Sequence, residues 1–256
     1  MNTFRVLQFN MQFGQEWHDA YPDRAPIDLD KTLAEIRRHD ADIIHLQEVE
    51  QALPGGVQLQ PPPNYTRLKA ALRGYDSWFS YPKSDPRELP FGLGLAIFSR
   101  TPLHDATRLD LPSPPIEFDF FGKKTTPTDR VLIGAKTTIH GREVQLYNVH
   151  LLAFFRLGAT SEVNHGQRDL VEAQLAAARV PTVLTGDFNV SKHHTLIEQF
   201  GRVGFSTVQQ AEITWRRRPY VLDHAFHNTQ LRCAAWKVEA TPASDHHVLV
   251  ADFEFA

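Results

Sequence analysis

Apolar residues arrive along this chain in short runs that stop abruptly at a carboxylate, an amide or a histidine. Phe4-Arg5-Val6-Leu7-Gln8-Phe9 ends at Asn10, Ile43-Ile44-His45-Leu46-Gln47 ends at Glu48, and Val183-Leu184 leads into Gly186-Asp187-Phe188-Asn189. Near the other terminus, Ser244-Asp245-His246 stands just before Val248-Leu249-Val250. Nearly continuous apolar runs bounded by polar residues read as buried strands, so residues 4–10 and 40–48 are expected to be two of them. Between them Leu29, Leu33 and Ile36 recur at i, i+4 and i+7, which predicts a helix over residues 27–39.

The same reading continues downstream. Asn64 is expected to cap a short helix carrying Leu68, Ala71 and Leu72, with Gly74 as a left-handed stop and Pro61-Pro62-Pro63 holding the chain extended before it. Residues 93–98, 131–139 and 144–149 are strand candidates, the last two joined through His140-Gly141-Arg142 as a hairpin. Leu170, Val171, Leu175 and Ala178 mark a helix that passes through Pro181 into the strand ending at Asp187, and Leu196, Phe200 and Val203 mark another ending at Gly204. In the last strand Leu249, Ala251, Phe253 and Phe255 share one side, which predicts a single buried face. Strands mixed with helices, some strands in hairpins, imply α/β architecture with mixed sheets covered by helices. No repeat or linker divides the chain, and the Pro-rich stretch 111–127 reads as a long surface loop, so residues 1–256 are expected to form one domain.

Composition narrows the classes. With 256 residues, 42% hydrophobic and 11% aromatic, the chain can bury a sizeable core. A net charge of -3 lacks the overall positive field of a protein that coats duplex nucleic acid, though a local basic patch would still permit a nuclease. Cys233 is the only cysteine, so no internal disulfide can form. The first residues enter a strand-like run without a leader pattern, and no apolar run approaches the roughly 18 residues needed to span a bilayer. A cytoplasmic protein without a transmembrane segment is expected.

The polar run-ends carry the chemistry. Asp187 and Asn189 are two apart and in an extended segment would point the same way, although alone such a pair is most simply a strand-ending turn. A carboxylate at the end of a buried strand, as at Glu48, must find water, a cation or a donor; metal ligation and an ordinary ion pair fit equally. Asn148 and His150 close the strand 144–149 with a shared side-chain direction, His246 lies beside Asp245, and Asp223 sits in Leu222-Asp223-His224-Ala225-Phe226. Oxygen-rich groups of this kind suit a hard divalent cation such as Mg2+, with histidines able to donate to phosphate oxygens. The chemistry suggested is phosphoester hydrolysis.

Phe9-Asn10, Leu46-Gln47-Glu48-Val49, Asn148-Val149-His150-Leu151, Gly186-Asp187-Phe188-Asn189, Leu222-Asp223-His224-Ala225-Phe226 and Ser244-Asp245-His246 occur in the order seen in the endonuclease/exonuclease/phosphatase superfamily. The chain resembles that superfamily from about residue 4 to residue 255. The resemblance implies a four-layer α/β sandwich with two central mixed β-sheets flanked by helices, and a site at one edge. It also implies that Glu48 is the principal metal carboxylate with Asn10 and Asp245 beside it, and that Asp187 and Asn189 orient or deprotonate the attacking water. His246 would be held by Asp223, His150 would donate to a phosphate oxygen, and Mg2+, with Mn2+ as a substitute, would be the cofactor.

Departures within the superfamily bear on substrate. Its abasic-site endonucleases typically carry tyrosine where this chain has His150, and its secreted deoxyribonucleases carry disulfides that are impossible here. Arg216-Arg217-Arg218, just before Asp223, are candidate substrate-binding cations, with a solvated turn as the plain alternative; Lys123-Lys124 shares that ambiguity. Phe154-Phe155 and Phe118, Phe120 and Phe121 crowd two loops, where such rings ordinarily bury a loop against its domain. Exposed, they would stack bases or enter a lipid interface. The expectation is a Mg2+-dependent phosphodiester hydrolase whose partner is nucleic acid or a nucleotide-like ester. The alternatives are a phospholipid or sphingolipid head-group phosphodiesterase and a non-catalytic binding module, whose mark would be a lost metal carboxylate or histidine; none is lost.

Overall fold

The computed structural model describes residues 3–120 and 122–256, so the expectation placed on Phe121 lies outside the described residues. In chain order the first half contains β1 (Thr3–Asn10), α1 (Leu29–Arg38), β2 (Ile43–Gln47), β3 (Glu50–Gln51), α2 (Pro63–Ala71), β4 (Asp76–Ser80), β5 (Gly92–Leu93), β6 (Leu95–Ser99) and β7 (Leu103–Leu111). Then follow β8 (Phe118–Phe120), β9 (Lys123–Thr125), β10 (Arg130–Ile139), β11 (Arg142–His150), α3 (Gly166–Ala176) and β12 (Thr182–Asp187). The chain closes with α4 (His193–Gly201), β13 (Phe205–Thr207), β14 (Asp223–Asn228), β15 (Leu231–Glu239) and β16 (Val248–Phe255).

Two six-stranded sheets, ordered β15-β16-β1-β2-β6-β4 and β13-β14-β12-β11-β10-β7, form the centre. Both are mixed: β1 runs parallel to β2 in one and β11 parallel to β12 in the other, with the remaining pairs antiparallel. Their inner faces meet in a shared core where Val6, Ile43, Ile97 and Leu249 pack with Ile133, Leu146, Val183 and Ala225. On the outer face of the first sheet Leu7, Phe9, Ile44 and Phe98 receive Leu29, Leu33 and Ile36 of α1 and Leu68 of α2. On the outer face of the second, Leu132, Leu184 and Phe226 receive Val171 and Leu175 of α3 and Leu196 and Phe200 of α4. The molecule is thus a four-layer α/β sandwich, which is why its central strands read as apolar runs without alternation: both of their faces are covered.

Several boundaries differ from the sequence reading for local reasons. The first helix starts at Leu29 because Asp28 caps it, its side chain accepting from the Asp30 and Lys31 N–H groups. The second starts at Pro63 rather than after Asn64; proline suits the first helical position, and Asn64 instead donates to the Phe13 and Val49 carbonyls. The strand expected over 93–98 is broken at Gly94, whose φ is +81° and whose site could hold no β-carbon, since one would stand 2.8 Å from the Phe79 ring. The Pro-rich stretch is not a bare loop, for it contains the β8–β9 hairpin. In β16 both sides are buried at the start, with Val248 and Val250 facing the α1 layer and Leu249 and Ala251 the central core. Among the described residues no helix is long and apolar enough to cross a membrane.

Candidate active site

Parallel pairing places the chemistry. The carboxyl ends of β1 and β2 bring Asn10 beside Gln47, next to Glu48, and the carboxyl ends of β11 and β12 bring His150 opposite Asp187. Asp223 begins β14 directly opposite Asp187, and Asp245-His246 precede β16, which pairs with β1. All these positions fall at one edge of the two-sheet core, the edge where strand carboxyl ends in such folds commonly build a site. Close approach of β11 and β12 depends on Gly186: a β-carbon there would stand 2.1 Å from the Val149 carbonyl oxygen.

Asp187 Oδ2 is the hub. Asn10 Nδ2 donates to it at 3.0 Å and to Glu48 Oε1 at 3.1 Å, while His150 Nε2 and His246 Nε2 each lie 3.6 Å from it. The other Asp187 oxygen accepts the Asn189 N–H at 3.0 Å, and Asn189 Nδ2 donates to the Leu151 carbonyl. Asn189 therefore ties Asp187 to the Leu151 loop with its backbone N–H and its side-chain amide together, from a left-handed conformation (φ +51°), which asparagine tolerates. Asn10 turns its amide nitrogen toward the carboxylates, its oxygen accepting the Gln12 N–H.

His246 is fixed by the 2.8 Å contact between its Nδ1 and Asp223 Oδ2. Asp223 in turn accepts from Gln8 Nε2, whose second hydrogen bond goes to Gln47 Oε1; Gln47 Nε2 donates to Asn148 Oδ1, and Asn148 Nδ2 to the Leu46 and Ala96 carbonyls. This buried amide chain ties the two sheets together beneath the cluster. Asn148 shares a side of β11 with His150 but lies one step deeper, fully buried between the sheets. No motif marks Gln8 or Gln47 for this role; an amide inside an apolar strand is the one signal the sequence offers for them.

Charge balance follows from this crowding. Burial and then the negative charge of Asp245 raise the Glu48 carboxyl above its ordinary range. Burial, reinforced by Asp223 and Glu48, lifts Asp187 to about 8. Burial alone would lower His246, but Asp223 and Asp187 outweigh it and hold the imidazole up at about 10. Burial, then Arg130, His246 and Arg156, keep His150 well below the histidine range and therefore neutral at pH 7.

Glu48, His150 and Asp187 present ligand-type atoms all within 4.8 Å of one another, as do Asp187, Asp223 and His246. The first group offers two carboxylates and an imidazole; a hard divalent cation takes the carboxylate oxygens, and binding it would displace the protons that burial holds on them. Asp245 belongs to neither group: its Oδ2 accepts from Trp215 Nε1 at 3.1 Å and from Arg217 Nε at 2.6 Å. Glu48 itself sits at φ +50°, rare for a residue with its side chain, and its carboxylate fits only because residue 92 is glycine.

The cluster opens into a cleft of about 920 Å³. Of the three arginines singled out from the sequence, Arg217 and Arg218 line it. Arg216 does not; it donates to the Thr241 carbonyl and lies over the Trp17 ring. Arg217 bridges Asp245 and Asp23. Lys123 and Lys124 stay outside the cleft, whereas Phe118, Phe120 and Phe155 line it and Phe154 is buried in the domain. Arg130, Arg156 and Trp215 also reach the cleft and were not expected; none stands in a recognisable motif.

The profile of the Endonuclease/Exonuclease/phosphatase family matches residues 7–246. No curated protein matches the chain. Among solved structures it resembles the endonuclease/exonuclease/phosphatase from Beutenbergia cavernae, with 22% identity over 99% of this chain and 72% of that one and a TM-score of 0.73. It also resembles the mannosyl-6-phosphatase of Bacteroides thetaiotaomicron, with 16% identity, 98% and 100% coverage and a TM-score of 0.66. ANGEL2, a 2′,3′-cyclic phosphatase in complex with adenosine-2′,3′-vanadate, is similar at 16% identity, 99% and 96% coverage and a TM-score of 0.66.

Proposed function

The chain belongs to the endonuclease/exonuclease/phosphatase family, and on that premise we propose that this metal-dependent phosphoesterase hydrolyses a phosphodiester of nucleic acid or of a nucleotide-like ester, with Mg2+ as its ion. The observation that carries the reading is the convergence on Asp187 Oδ2 of Asn10, His150 and His246, the last backed by Asp223. ANGEL2, seen with an adenosine-derived ligand, supports a nucleotide substrate; the mannosyl-6-phosphatase is the counterexample on the same fold.

Glu48, with Asp187 beside it, would hold the cation, while Asn10 steadies both carboxylates through its amide nitrogen and Asp245 stands nearby in its ion pair with Arg217; when bound, the ion offsets phosphate charge and aids departure of the leaving oxygen. The residues divide the remaining work. Asp187 and the Asn189 loop hold the attacking water in line, and the Asp187–His246 pair, in the form that has released a proton of its own, accepts the water's proton as the water oxygen bonds to phosphorus. Asp223 keeps the imidazole in one tautomer and orientation, as a carboxylate partner does. Neutral His150 donates through Nε2 to a phosphate oxygen whose charge grows as the ester bond breaks. Arg217 and Arg218 stand where substrate would enter, while Arg216, turned away, drops out of that role.

A screen of phosphodiesters and phosphomonoesters with added Mg2+ or Mn2+, using Asp187→Asn as the blank, tests this. Diester turnover abolished by chelation is expected, with the variant slower by roughly 100- to 10,000-fold. Turnover of monoesters alone would replace the diester reading, and no turnover of any ester would favour a binding module. A second reading, a phospholipid head-group phosphodiesterase, rests on exposed Phe91 meeting Phe120 at the cleft; liposomes assayed beside oligonucleotides separate the two.

A further inference from the structure

The cleft is far larger than one phosphate requires, and one of its walls is built and charged in a way the reacting cluster does not use. Trp215, 5% exposed, is anchored by its Nε1 hydrogen bond to Asp245 and lies 6.2 Å from the His246 ring, centroid to centroid. Phe155 packs against Trp215 at 5.6 Å and against Tyr220 at 5.3 Å, edge-on, and turns its remaining surface to the cleft. The ring is therefore rigidly backed. Arg156 holds its guanidinium 5.2 Å from the centroid of Trp215.

Charge on this wall is uncompensated. Arg87 pairs with Asp85, and Arg217 pairs with Asp245 and Asp23. Among the described residues, the side chains of Arg156 and Arg218 have no hydrogen-bonded or ion-paired partner, yet both line the cleft. Arg156 is near enough to the cluster for its charge to act on both Glu48 and His150. An aromatic face with the Arg156 guanidinium beside it, and Arg218 in the same cleft on the turn that carries Tyr220, suits a planar base next to a phosphate, because bases stack on rings without sequence preference and guanidinium pairs with phosphate in a bidentate fork.

We propose that Phe155, Arg156 and Arg218 form a subsite for the nucleotide next to the reacting phosphate, its base stacked on Phe155 and its own phosphate held by Arg156 and Arg218. The inference rests on the phosphodiesterase reading and deepens it: the substrate is an oligonucleotide with at least one further phosphate beyond the bond that is cut. A compact diester would leave this subsite empty.

Phe155→Ala, Arg156→Gln and Arg218→Gln are compared with the unaltered protein in two assays. The first measures binding of a fluorescently labelled short oligonucleotide by anisotropy in EDTA, where nothing turns over. The second measures steady-state hydrolysis of the same oligonucleotide and of bis-p-nitrophenyl phosphate. Each variant is expected to weaken oligonucleotide binding about tenfold and to raise KM more than it lowers kcat, in line with one lost stacking or charge contact. The loss in kcat/KM is expected to be at least about fivefold greater for the oligonucleotide than for the compact diester, and the salt dependence of binding to flatten in the arginine variants. Equal losses on both substrates, or unaltered binding in all three variants, would overturn the subsite while leaving the phosphodiesterase reading intact. If the unaltered protein hydrolyses neither diester, that reading falls, and the subsite with it.

Discussion

Gly92 lies so close to Glu48 that a β-carbon at position 92 would stand 2.4 Å from Glu48 Oε2 and 2.5 Å from Glu48 Cβ. The short pairing of β3 with β5, which sets Gln51 opposite Gly92, holds that approach. Glu48 keeps its place at the mouth of the cleft only because nothing projects from residue 92. Gly92→Ala is therefore expected to push the carboxylate aside. Mn2+ affinity measured by calorimetry should fall about 10- to 100-fold, as when a ligand's support is removed, and the clash with Glu48 Cβ should lower the melting temperature as well.

Asp223→Asn keeps an acceptor for Gln8 Nε2 but removes the charge that holds His246 protonatable and oriented. Turnover should drop by roughly 100- to 10,000-fold. With the carboxylate gone the His246 pKa falls, so the acid limb of the kcat/KM profile, which reports deprotonation of the Asp187–His246 pair, should move to lower pH. A variant with unchanged rate and profile would remove Asp223 from its assigned role.

Asn148→Leu would strand the Leu46 and Ala96 carbonyls and Gln47 Nε2 between the sheets. A buried group left without its partner costs about 1 to 3 kcal/mol, so urea denaturation should show a loss on the order of 3 kcal/mol. Because the inner faces of both sheets share one core, unfolding is expected as a single transition, with fluorescence and circular dichroism coinciding.

Glu35 offers a pH test away from the cleft. Burial would raise its carboxyl, but the hydrogen bonds from His39 and Arg38 outweigh burial and hold it at about 2 against an ordinary 4.5. A depressed carboxylate stabilises the fold fully above its unfolded value, and that contribution is lost as pH falls from about 4.5 through 2. Arg38 is 43% exposed and so screened by solvent; the contribution at pH 7 is on the order of 1 to 2 kcal/mol. Glu35→Gln should lower stability by that amount at pH 7, and the gap to the unaltered protein should narrow as the buffer is taken below 4.5.

Legibility differed by feature. The apolar runs around Leu7, Ile44, Leu146 and Leu184 announced the central strands because burial on both faces leaves no room for polar alternation. The spacing of Leu29, Leu33 and Ile36 announced α1, since one helical stripe meets the sheet. Asn10, Glu48, His150, Asp187, Asp223 and His246 stand out as candidates in the sequence because each ends or begins such a run, and the fold brings them together. Arg216 turns away from the cleft although its neighbours line it, because adjacent residues in a turn point different ways and sequence proximity to Asp223 carries no direction. Phe155 was expected to bury its loop, as Phe154 does, and only the loop's path turns it to the cleft.

The order of residues by itself determined which segments become strands and helices and which polar side chains stand at their ends, because these follow from local periodicity and from the cost of burying unpaired polar groups. Tertiary structure alone decided that Asp187 Oδ2 would be the common neighbour of Asn10, His150 and His246, that Gln8 and Gln47 would carry hydrogen bonds between the sheets, and that Arg156 would lie over Trp215. Those contacts join residues far apart in the chain. Their geometry depends on strand order, register and the packing of two sheets, none of which is written in any one segment.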